Sequence, residues 1–299
     1  MAEPTISVCI VCRNEADKLG PCLDSVVSWA DDVVVMDLGS SDGSAELAQA
    51  KGARVVEHEP VPIVELVRNE VAAAATSGWI LALDPDERVA EGLPAELRRL
   101  SARDDVDAVA IPRMNYDFGH PASSPILRFD PQIRFYRRDR VSWPTEPNEL
   151  PEIEPARLHR LPQREELVLV HDRNRSIPEA LERAMRYAPA EAQALLDSGE
   201  VFTARKMLLR VARKARKQYV EAKAFDDGVP GIVRATVLVT FHFYVWASFW
   251  QLSGAKRTAE DDRLVRRLGH AVELAFGTAR AVRAPVRLAR RLGGRGRRR

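Results

Sequence analysis

The chain has 299 residues, 45% of them hydrophobic, which is enough for one large domain or two modest ones. Its three cysteines are too few for a disulfide framework, and the N-terminal "MAEPTISV" has neither the basic nor the apolar segment of a secretory signal. We therefore expect a cytoplasmic protein and exclude a disulfide-stapled secreted domain.

The net charge of +2 conceals two oppositely charged parts. Residues 1–200 hold 22 Lys and Arg against 36 Asp and Glu, a net charge of −14. Residues 201–299 hold 23 against 7, a net charge of +16. A basic C-terminal third favours a polyanionic partner, either nucleic acid or an anionic lipid surface.

Strands and helices alternate in the first 85 residues. Apolar runs predict four strands, at 5–13, 32–38, 54–59 and 79–84. The stretches between them predict helices, at about 15–29, 43–51 and 64–77. This alternation is typical of the α/β class, with a Rossmann-like, mostly parallel sheet and flanking helices, and such sheets bind ligands at the carboxyl ends of their strands.

A C-x-x-C pair, Cys9 and Cys12, lies in the first predicted strand. It could form half of a zinc site or a redox pair, but no second Cys or His pair follows nearby. The surrounding run "ISVCIVC" is continuously apolar, so we interpret both thiols as buried residues of a strand.

The rest of the chain divides into a mixed segment and a basic helical region. Residues 106–175 contain predicted strands near 107–112 and 132–138, then a Pro-rich and acid-rich stretch at 144–168. Helices are expected from Ser176, which is placed to act as an N-cap. We predict three parts: a catalytic domain over 1–175, a helical membrane-associated region over 176–278, and an Arg-rich disordered tail over 279–299.

The segment 232–252 is 21 residues of mostly apolar and aromatic character, long enough to cross a bilayer. It contains Arg234 and His242, and both of its flanks are basic. A helix buried in the core and a helix lying in the membrane interface are the alternatives, and we favour these two over a spanning helix. The neighbouring segment 205–217, with seven basic residues and no acid, favours contact with anionic lipid.

The motif "DPDER" places three acids at the end of the fourth predicted strand. Asp84 and Asp86, separated by Pro85, can present oxygens to Mg²⁺, which typically takes one or two protein carboxylates and fills its shell with water and phosphate oxygens. Glu87 has an alternative role as a salt-bridge partner of Arg88 or of another arginine. The plain alternative for all three acids is a solvated turn.

Two further motifs precede "DPDER". Asp37 ends the second strand and leads into "GSSDGS", which is either a ligand loop or an ordinary connection capped by Ser41 or Asp42. Arg68 lies on the helix before the fourth strand, where it is either a phosphate clamp or a surface arginine.

Taken in order, the segments "SVCIVCRNEADKLGPCLDSV", "VVVMDLGSSDGS" and "VRNEVAAAATSGWILALDPDERV" resemble the start of inverting family-2 glycosyltransferases of the GT-A type. Further segments, such as "RMNYDFG", "DPQIRFYRR" and "FDDGVPGIVRA", are similar to the subgroup that includes lipopolysaccharide-core transferases. The resemblance covers about residues 5–255. It implies a GT-A-like fold, a nucleotide-sugar donor and a divalent metal cofactor, Mg²⁺ or Mn²⁺.

The resemblance also implies roles for single residues. Asp37 is expected to contact a uracil-type base, with Arg13, Glu15 and Arg68 around the nucleotide. Asp84 is expected to face the ribose or the metal, and Asp86 the metal. The chain departs from the subgroup at Leu38, where Ser or Asp is common, and at Asn148, where His commonly precedes the acid.

Inversion requires a general base within hydrogen-bond reach of the acceptor hydroxyl. Glu149 is the first candidate, because it follows Trp143, a candidate platform for a sugar face, and Glu146 is the second. A solvated acidic loop is the plain alternative for both. His171 ends an apolar strand and is either a ligand of the metal or diphosphate, or a structural histidine.

The sequence thus predicts a metal-dependent inverting glycosyltransferase that transfers a sugar from a nucleotide-sugar to a lipid-linked or envelope glycan. A UDP-linked donor is favoured. The expected location is the cytoplasm, peripherally on the inner face of the membrane, with no specific nucleic acid partner. Two alternatives remain: a nucleotidyl or sugar-phosphate transferase on a similar fold, and a non-enzymatic polyanion-binding protein.

Overall fold

The computed structural model describes residues 4–145 and 149–274. The chain forms two compact units. The first comprises the residues up to 179 together with 222–232, and the second comprises 180–221 and the residues from 233 onward. The predicted Arg-rich tail at 279–299 lies outside the described residues.

The first unit is built on one sheet with helices on both faces. Its strands are β1 Ile6–Cys12, β2 Asp32–Asp37, β3 Arg54–Glu57, β4 Trp79–Leu83, β5 Glu87–Val89, β6 Ala108–Asp117, β7 His120–Pro121, β8 Phe129–Arg137, β9 Leu158–Arg160 and β10 Leu169–Asn174. Its helices are α1 Ala16–Asp24, α2 Ser44–Ala50, α3 Arg68–Ala74, α4 Leu93–Ser101 and α5 Pro125–Arg128.

The strand order is β3-β2-β1-β4-β8-β6-β10-β5, with β7 and β9 paired to β6. The first four strands of this order are parallel, as the alternating sequence pattern predicts. Beyond β4 the sheet becomes mixed, because β8 pairs antiparallel with both β4 and β6. The predicted α/β class with flanking helices is confirmed.

Strand β1 is buried on both faces, because helices cover the sheet on each side. Ile6, Val8 and Ile10 pack in one cluster with residues of α1 and α4, whereas Cys9 packs in the other cluster with residues of α3. Cys9 and Cys12 therefore project to opposite faces of β1. Burial raises the pKa of Cys9 to about 12 and that of Cys12 to about 11. Both are inert core thiols, as their apolar setting predicts.

The second unit is helical. Its helices are the greater part of α6 Ile177–Asp197, α7 Ala204–Arg216, the greater part of α8 Gly228–Leu252, and a further helix at 259–274. The Ser176 hydroxyl accepts a hydrogen bond from the Glu179 backbone N–H at 3.3 Å, which is the predicted cap. Ala188 and Ala192 of α6 pack on the buried rings of Trp246 and Phe249 in α8.

One stretch among the described residues, Ala224–Leu252, is long and apolar enough to cross a membrane by length and composition. An 18-residue window within this stretch has a mean hydropathy of 1.4, and 28% of that window is buried inside the protein. Large apolar side chains of this stretch, including Val229 and Phe243, are exposed. Length and composition alone leave the spanning, interfacial and core interpretations open.

Candidate active site

The carboxyl ends of β1, β2 and β4 meet at one edge of the sheet. Strand β1 runs parallel between β2 and β4, and its last residue, Cys12, is in register with Asp37 at the end of β2. The two connections that follow also bond to each other, because the Glu15 backbone N–H donates to the Ser44 hydroxyl at 3.1 Å. Polar residues that are distant in sequence are thereby held together at this edge.

Asp37 is only 5% exposed. Its Oδ2 atom accepts a hydrogen bond from the Ser40 backbone N–H at 2.9 Å, which fixes the side chain in the turn after β2. Its Oδ1 atom is buried and finds no hydrogen-bond partner in the described structure. A buried acceptor of this kind is costly unless a donor reaches it, so Asp37 is placed to receive an N–H or O–H from a ligand.

Asn14 organises the loop around Asp37, and sequence reasoning gave it no role. It adopts a left-handed backbone conformation, with φ 54°, which asparagine tolerates better than most residues. Its backbone N–H donates to the Ser40 hydroxyl at 2.9 Å, and its Oδ1 accepts from the Ser41 N–H at 2.8 Å. The neighbouring Arg13 is exposed, so its predicted nucleotide role stays a prediction.

Glu15 is electrostatically coupled to the acids that follow β4. Burial raises its pKa; the charge of Lys18 opposes the rise, and the charges of Asp86 and Asp84 add to it. Lys18 lies 3.5 Å from Glu15 and 2.8 Å from Glu179. Glu15 therefore belongs to the same electrostatic site as the "DPD" acids.

The "DPDE" segment forms a tight turn held by Glu87. The Glu87 backbone N–H donates to the Asp84 carbonyl at 2.9 Å, and the Glu87 carboxylate accepts from the Asp84 N–H at 3.0 Å. The Glu87 side chain is fully buried. The plain interpretation of a solvated turn is therefore wrong for Glu87, which is a structural clamp.

Two arginines from neighbouring strands compensate the Glu87 charge. Arg134 of β8 contacts it at 3.0 Å and Arg113 of β6 at 3.2 Å. The sequence suggested Arg88 or another arginine as the partner of Glu87, and the partner is another arginine. Arg88 instead pairs with Asp172. Sequence reasoning missed Arg134, which is 4% exposed and whose side chain also donates to Asp84.

Asp84 is held ionised by this arginine group. Burial acts to raise its pKa, but the charges of Arg134, Arg68 and Arg113 outweigh burial and lower the pKa to about 2. Arg134 occupies one carboxylate oxygen, Oδ2, and about a third of the side chain is exposed. Asp84 is thus a fixed negative charge at neutral pH, with its position set by β8.

Asp86 and His171 form the pair best suited to a metal. The Nε2 atom of His171 lies 3.5 Å from Asp86 Oδ2, and its Nδ1 atom lies 2.6 Å from the side-chain oxygen of Asn115. An Nδ1–H can donate to that oxygen, and Nε2 is the ring nitrogen that faces Asp86. Metal-binding histidines are commonly oriented in this way, by a second residue at the other ring nitrogen. Sequence reasoning did not identify Asn115.

The described residues contain no group of three or more His, Cys, Asp and Glu side chains that could hold a metal ion. A two-ligand set still fits Mg²⁺ or Mn²⁺ chemistry, because these ions accept water and phosphate oxygens for the rest of their shell. The carboxylate of Asp86 suits both ions, whereas the imidazole of His171 is a donor typical of transition metals and favours Mn²⁺ over Mg²⁺.

The side chains of Arg68 and Trp143 pack on each other, whereas the sequence analysis treated them separately, Arg68 as a phosphate clamp or surface arginine and Trp143 as a platform for a sugar. Trp143 is 8% exposed, and its backbone is fixed by two hydrogen bonds to the Asn69 side chain, at 2.8 and 3.0 Å. The Arg68 guanidinium lies 4.7 Å from the centre of the indole ring. Trp143 is therefore a buried support for Arg68, and its predicted use as an open platform for a sugar is wrong.

The Arg68 side chain is also largely buried, which contradicts the alternative of an ordinary surface arginine. Burial and the nearby Arg134 lower its pKa, whereas Asp84 and Glu65 oppose that change. Its Nε atom has no hydrogen-bond partner in the described structure. Arg68 thus carries a donor that an anionic ligand would satisfy.

The two candidate bases lie in the segment after Trp143. Glu149 is exposed, and Glu146 lies outside the described residues. The structure therefore leaves the role of each as a prediction.

The sheet edge gathers a buried aspartate with an unpartnered oxygen, a buried arginine and an acid–histidine pair, an arrangement that suits an anionic ligand. The sequence profile of the family described as Glycosyl transferase family 2 matches residues 7–152. Residues 7–152 belong to glycosyltransferase family 2. This match favours an enzyme over the alternative of a non-enzymatic polyanion-binding protein.

The chain is also similar to curated proteins. The chain is 24% identical to the lipopolysaccharide core biosynthesis glycosyltransferase LpsC of Rhizobium meliloti, over 87% of this chain and 97% of that protein. It is 35% identical to a TPR repeat-containing protein of Synechococcus elongatus, over 44% of this chain and 34% of the relative. The chain spans about a third of the length of the first curated relatives it matches.

A solved mannosyltransferase of Pyrobaculum calidifontis, in complex with GDP-Man and Mn²⁺, has a TM-score of 0.44 to this chain. The two sequences are 14% identical, and the alignment covers 92% of this chain and 81% of that one.

Proposed function

We propose that the protein is a metal-dependent inverting glycosyltransferase that uses a nucleotide-sugar, with UDP as the favoured carrier. The observation that carries the proposal is the pair of Asp86 and His171, 3.5 Å apart, with the histidine ring held by Asn115. Family membership supports the reaction class, and the pair supports the cofactor.

Asp86 and His171 would hold the divalent ion at the edge of the sheet. When bound, the ion neutralises negative charge that develops on the departing diphosphate. Arg68 contributes a positive charge to the same edge, and Trp143 beneath it keeps the guanidinium in place. Asp84, oriented by Arg134, is assigned to the ribose or to the metal through its free oxygen.

The unpartnered Oδ1 of Asp37 is assigned to the nucleotide base. A buried carboxylate oxygen accepts from an N–H, which uracil offers at its ring N3 and cytosine does not. Glu15 and Arg13 are assigned to the surroundings of the nucleotide. This difference in ring chemistry is the reason for the UDP preference.

Replacing Asp37 with alanine is expected to weaken UDP binding at least about tenfold, because a charge-assisted hydrogen bond contributes roughly 1.5–3 kcal/mol. Calorimetric titration with UDP and CDP measures the effect. Wild-type protein should prefer UDP, and the variant should lose that preference while CDP affinity changes little. A variant that discriminates as well as the wild type would contradict the assignment of Asp37.

The general base is assigned to Glu149, with Glu146 as the alternative. Its carboxylate takes the proton of the acceptor hydroxyl as the oxygen attacks the anomeric carbon, from the side opposite the diphosphate. The new glycosidic bond forms as the sugar–phosphate bond breaks, so the anomeric configuration inverts.

Replacing Glu149 with glutamine is expected to lower the rate of transfer about 10²- to 10⁴-fold, because glutamine cannot accept a proton at neutral pH. Release of UDP from UDP-sugars, with water in place of the acceptor, measures the rate. Binding of UDP and Mn²⁺ should be unchanged. The control is Glu152→Gln, three residues further along the same acidic segment. Full activity in Glu149→Gln would move the assignment to Glu146.

The acceptor is proposed to be a lipid-linked or cell-envelope glycan, reached by an enzyme held peripherally on the inner face of the membrane. The basic C-terminal third and the exposed apolar residues of Ala224–Leu252 support attachment to an anionic membrane. The similarity to a lipopolysaccharide core transferase along 87% of this chain supports an envelope substrate.

A further inference from the structure

The helical unit contains an open groove of about 480 Å³ between α6, α7 and α8. One wall carries four cations, Arg210, Arg213, Lys214 and Lys217, while Val245 and Trp246 contribute the apolar floor. The groove lies wholly within this unit, and its residues have no part in the proposed catalytic site.

The groove has a strong excess of positive charge. Glu191 is the one acid among its lining residues, and the charge of Lys214 acts on it, opposing the rise in pKa that burial causes. Burial, together with the Lys214 charge, lowers the pKa of His242 to about 4, so the imidazole is neutral at pH 7. Four cations thus face one carboxylate, and the groove suits a ligand with more than one negative charge.

The shape of the charged wall suits phosphate. Arg210, Arg213, Lys214 and Lys217 fall on successive turns of one helix and its extension, so their side chains share a face. Two guanidinium groups on this face can each donate a pair of parallel N–H groups to phosphate oxygens. A phosphomonoester carries about 1.5–2 negative charges at pH 7 and offers three terminal oxygens, more than a phosphodiester does.

The helix that forms the apolar floor of the groove also carries exposed aromatic side chains. Val245 and Trp246 are 3% and 5% exposed, so the floor is part of the packed core of the unit. On the same helix, Phe243, Tyr244 and Trp250 are exposed. Aromatic side chains of this kind favour the interface between lipid headgroups and acyl chains. A cationic groove with an apolar floor, on a helix with exposed aromatic residues, suits an amphiphile better than a free anion.

We propose that this groove is a binding site for the phosphomonoester headgroup of an anionic membrane lipid. The phosphate contacts Arg210, Arg213 and Lys217, and the glycerol and first acyl carbons rest on the Val245 and Trp246 floor. The site goes beyond general attraction of a basic tail to a membrane, because it selects a headgroup by its charge and number of oxygens. It is independent of glycosyl transfer.

The test is binding of the full chain to phosphatidylcholine vesicles that contain phosphatidic acid or, at matched surface charge, phosphatidylserine. Flotation at 150 mM salt measures the bound fraction. The proposal predicts at least about tenfold tighter binding to phosphatidic acid. Arg210→Gln combined with Arg213→Gln should remove that preference.

The matched control is Arg205→Gln combined with Arg216→Gln, which removes the same charge from the same helix away from the groove. A diffuse electrostatic attraction would weaken equally in both double variants, and that result would overturn the proposal. Arg210→Lys with Arg213→Lys keeps the charge and helix propensity and should also lose the preference. This second variant keeps the test decisive if the glutamine variant unfolds.

Two further arms separate the lipid from a soluble ligand and from catalysis. Glycerol 3-phosphate should bind at least about 100-fold more weakly than vesicles, because it lacks the acyl carbons that reach the apolar floor. Equal binding would assign the groove to a free phosphate and overturn the lipid assignment. Asp86→Asn should leave vesicle binding unchanged, so a failure of the proposed enzymatic function would not affect this result.

Discussion

Replacing Asp86 with asparagine is expected to reduce UDP release from UDP-sugars in the presence of Mn²⁺ by at least about 100-fold, while the protein stays folded. A residue that only orients a metal ligand is worth 10- to 100-fold, and Asp86 is proposed to be a ligand itself. Asparagine keeps the shape of the side chain but removes the negative charge that attracts the ion. The thermal shift caused by UDP with Mn²⁺ should shrink to that caused by UDP alone.

The matched control is Asp139→Asn, the same substitution at an exposed position 3.7 Å from the adjacent Arg140. It should leave both activity and the Mn²⁺-dependent shift intact. His171→Ala is expected to reduce the shift as Asp86→Asn does, since both side chains are assigned to one ion. Full activity and an undiminished shift in Asp86→Asn would remove the metal from this edge of the sheet.

The convergence of Asp37 and Asp84 at one edge of the sheet could be predicted from the sequence because it depends on local patterns. Buried strands appear as continuous apolar runs, and Asp37 and Asp84 each end such a run. Parallel strands place their carboxyl ends at one edge, so these acids had to converge. The N-cap of α6 at Ser176 was predictable for the same reason, since its signal lies within four residues.

The partners of these acids could not be predicted, because they arrive from distant strands. Arg134 is 50 residues from Asp84, and Asn115 is 56 residues from His171. Neither pairing follows from spacing, because each depends on β8 and β6 joining the sheet beyond β4. A weak signal existed for Arg134, since an arginine inside a strand pattern needs an acidic partner when buried.

Trp143 shows why an exposed role cannot be read from residue type alone. A tryptophan near acids resembles a sugar platform, but the same ring also fills core space. Here it packs on Tyr136, with ring centres 6.0 Å apart, beneath Arg68. The hydrogen bonds that fix the Trp143 backbone come from the side chain of Asn69. The two residues are 74 positions apart in sequence, so the contact leaves no local pattern.

Replacing Glu87 with alanine is expected to lower the free energy of unfolding by about 3–5 kcal/mol, the usual cost of removing one partner from a buried ion pair. Glu87 is fully buried, and its loss leaves Arg134 with only Asp84 as a compensating carboxylate. The turn that holds Asp84 and Asp86 also loses its side-chain clamp. Urea unfolding followed by circular dichroism measures the change.

The control is Glu165→Ala, which removes an exposed partner of Arg128 and should change stability little.

Glu87→Leu combined with Arg134→Met should recover a large part of the loss, because apolar residues of similar volume replace both charges while Arg113 keeps its contact with Asp130 at 2.6 Å. The double variant should nevertheless have low activity, since Asp84 loses the arginine that orients it. Recovered stability with low activity would show that the buried pair of Glu87 and Arg134 is dispensable for folding but required for placing Asp84 and Asp86. A double variant that recovers neither would mean that Glu87 acts chiefly by closing the turn.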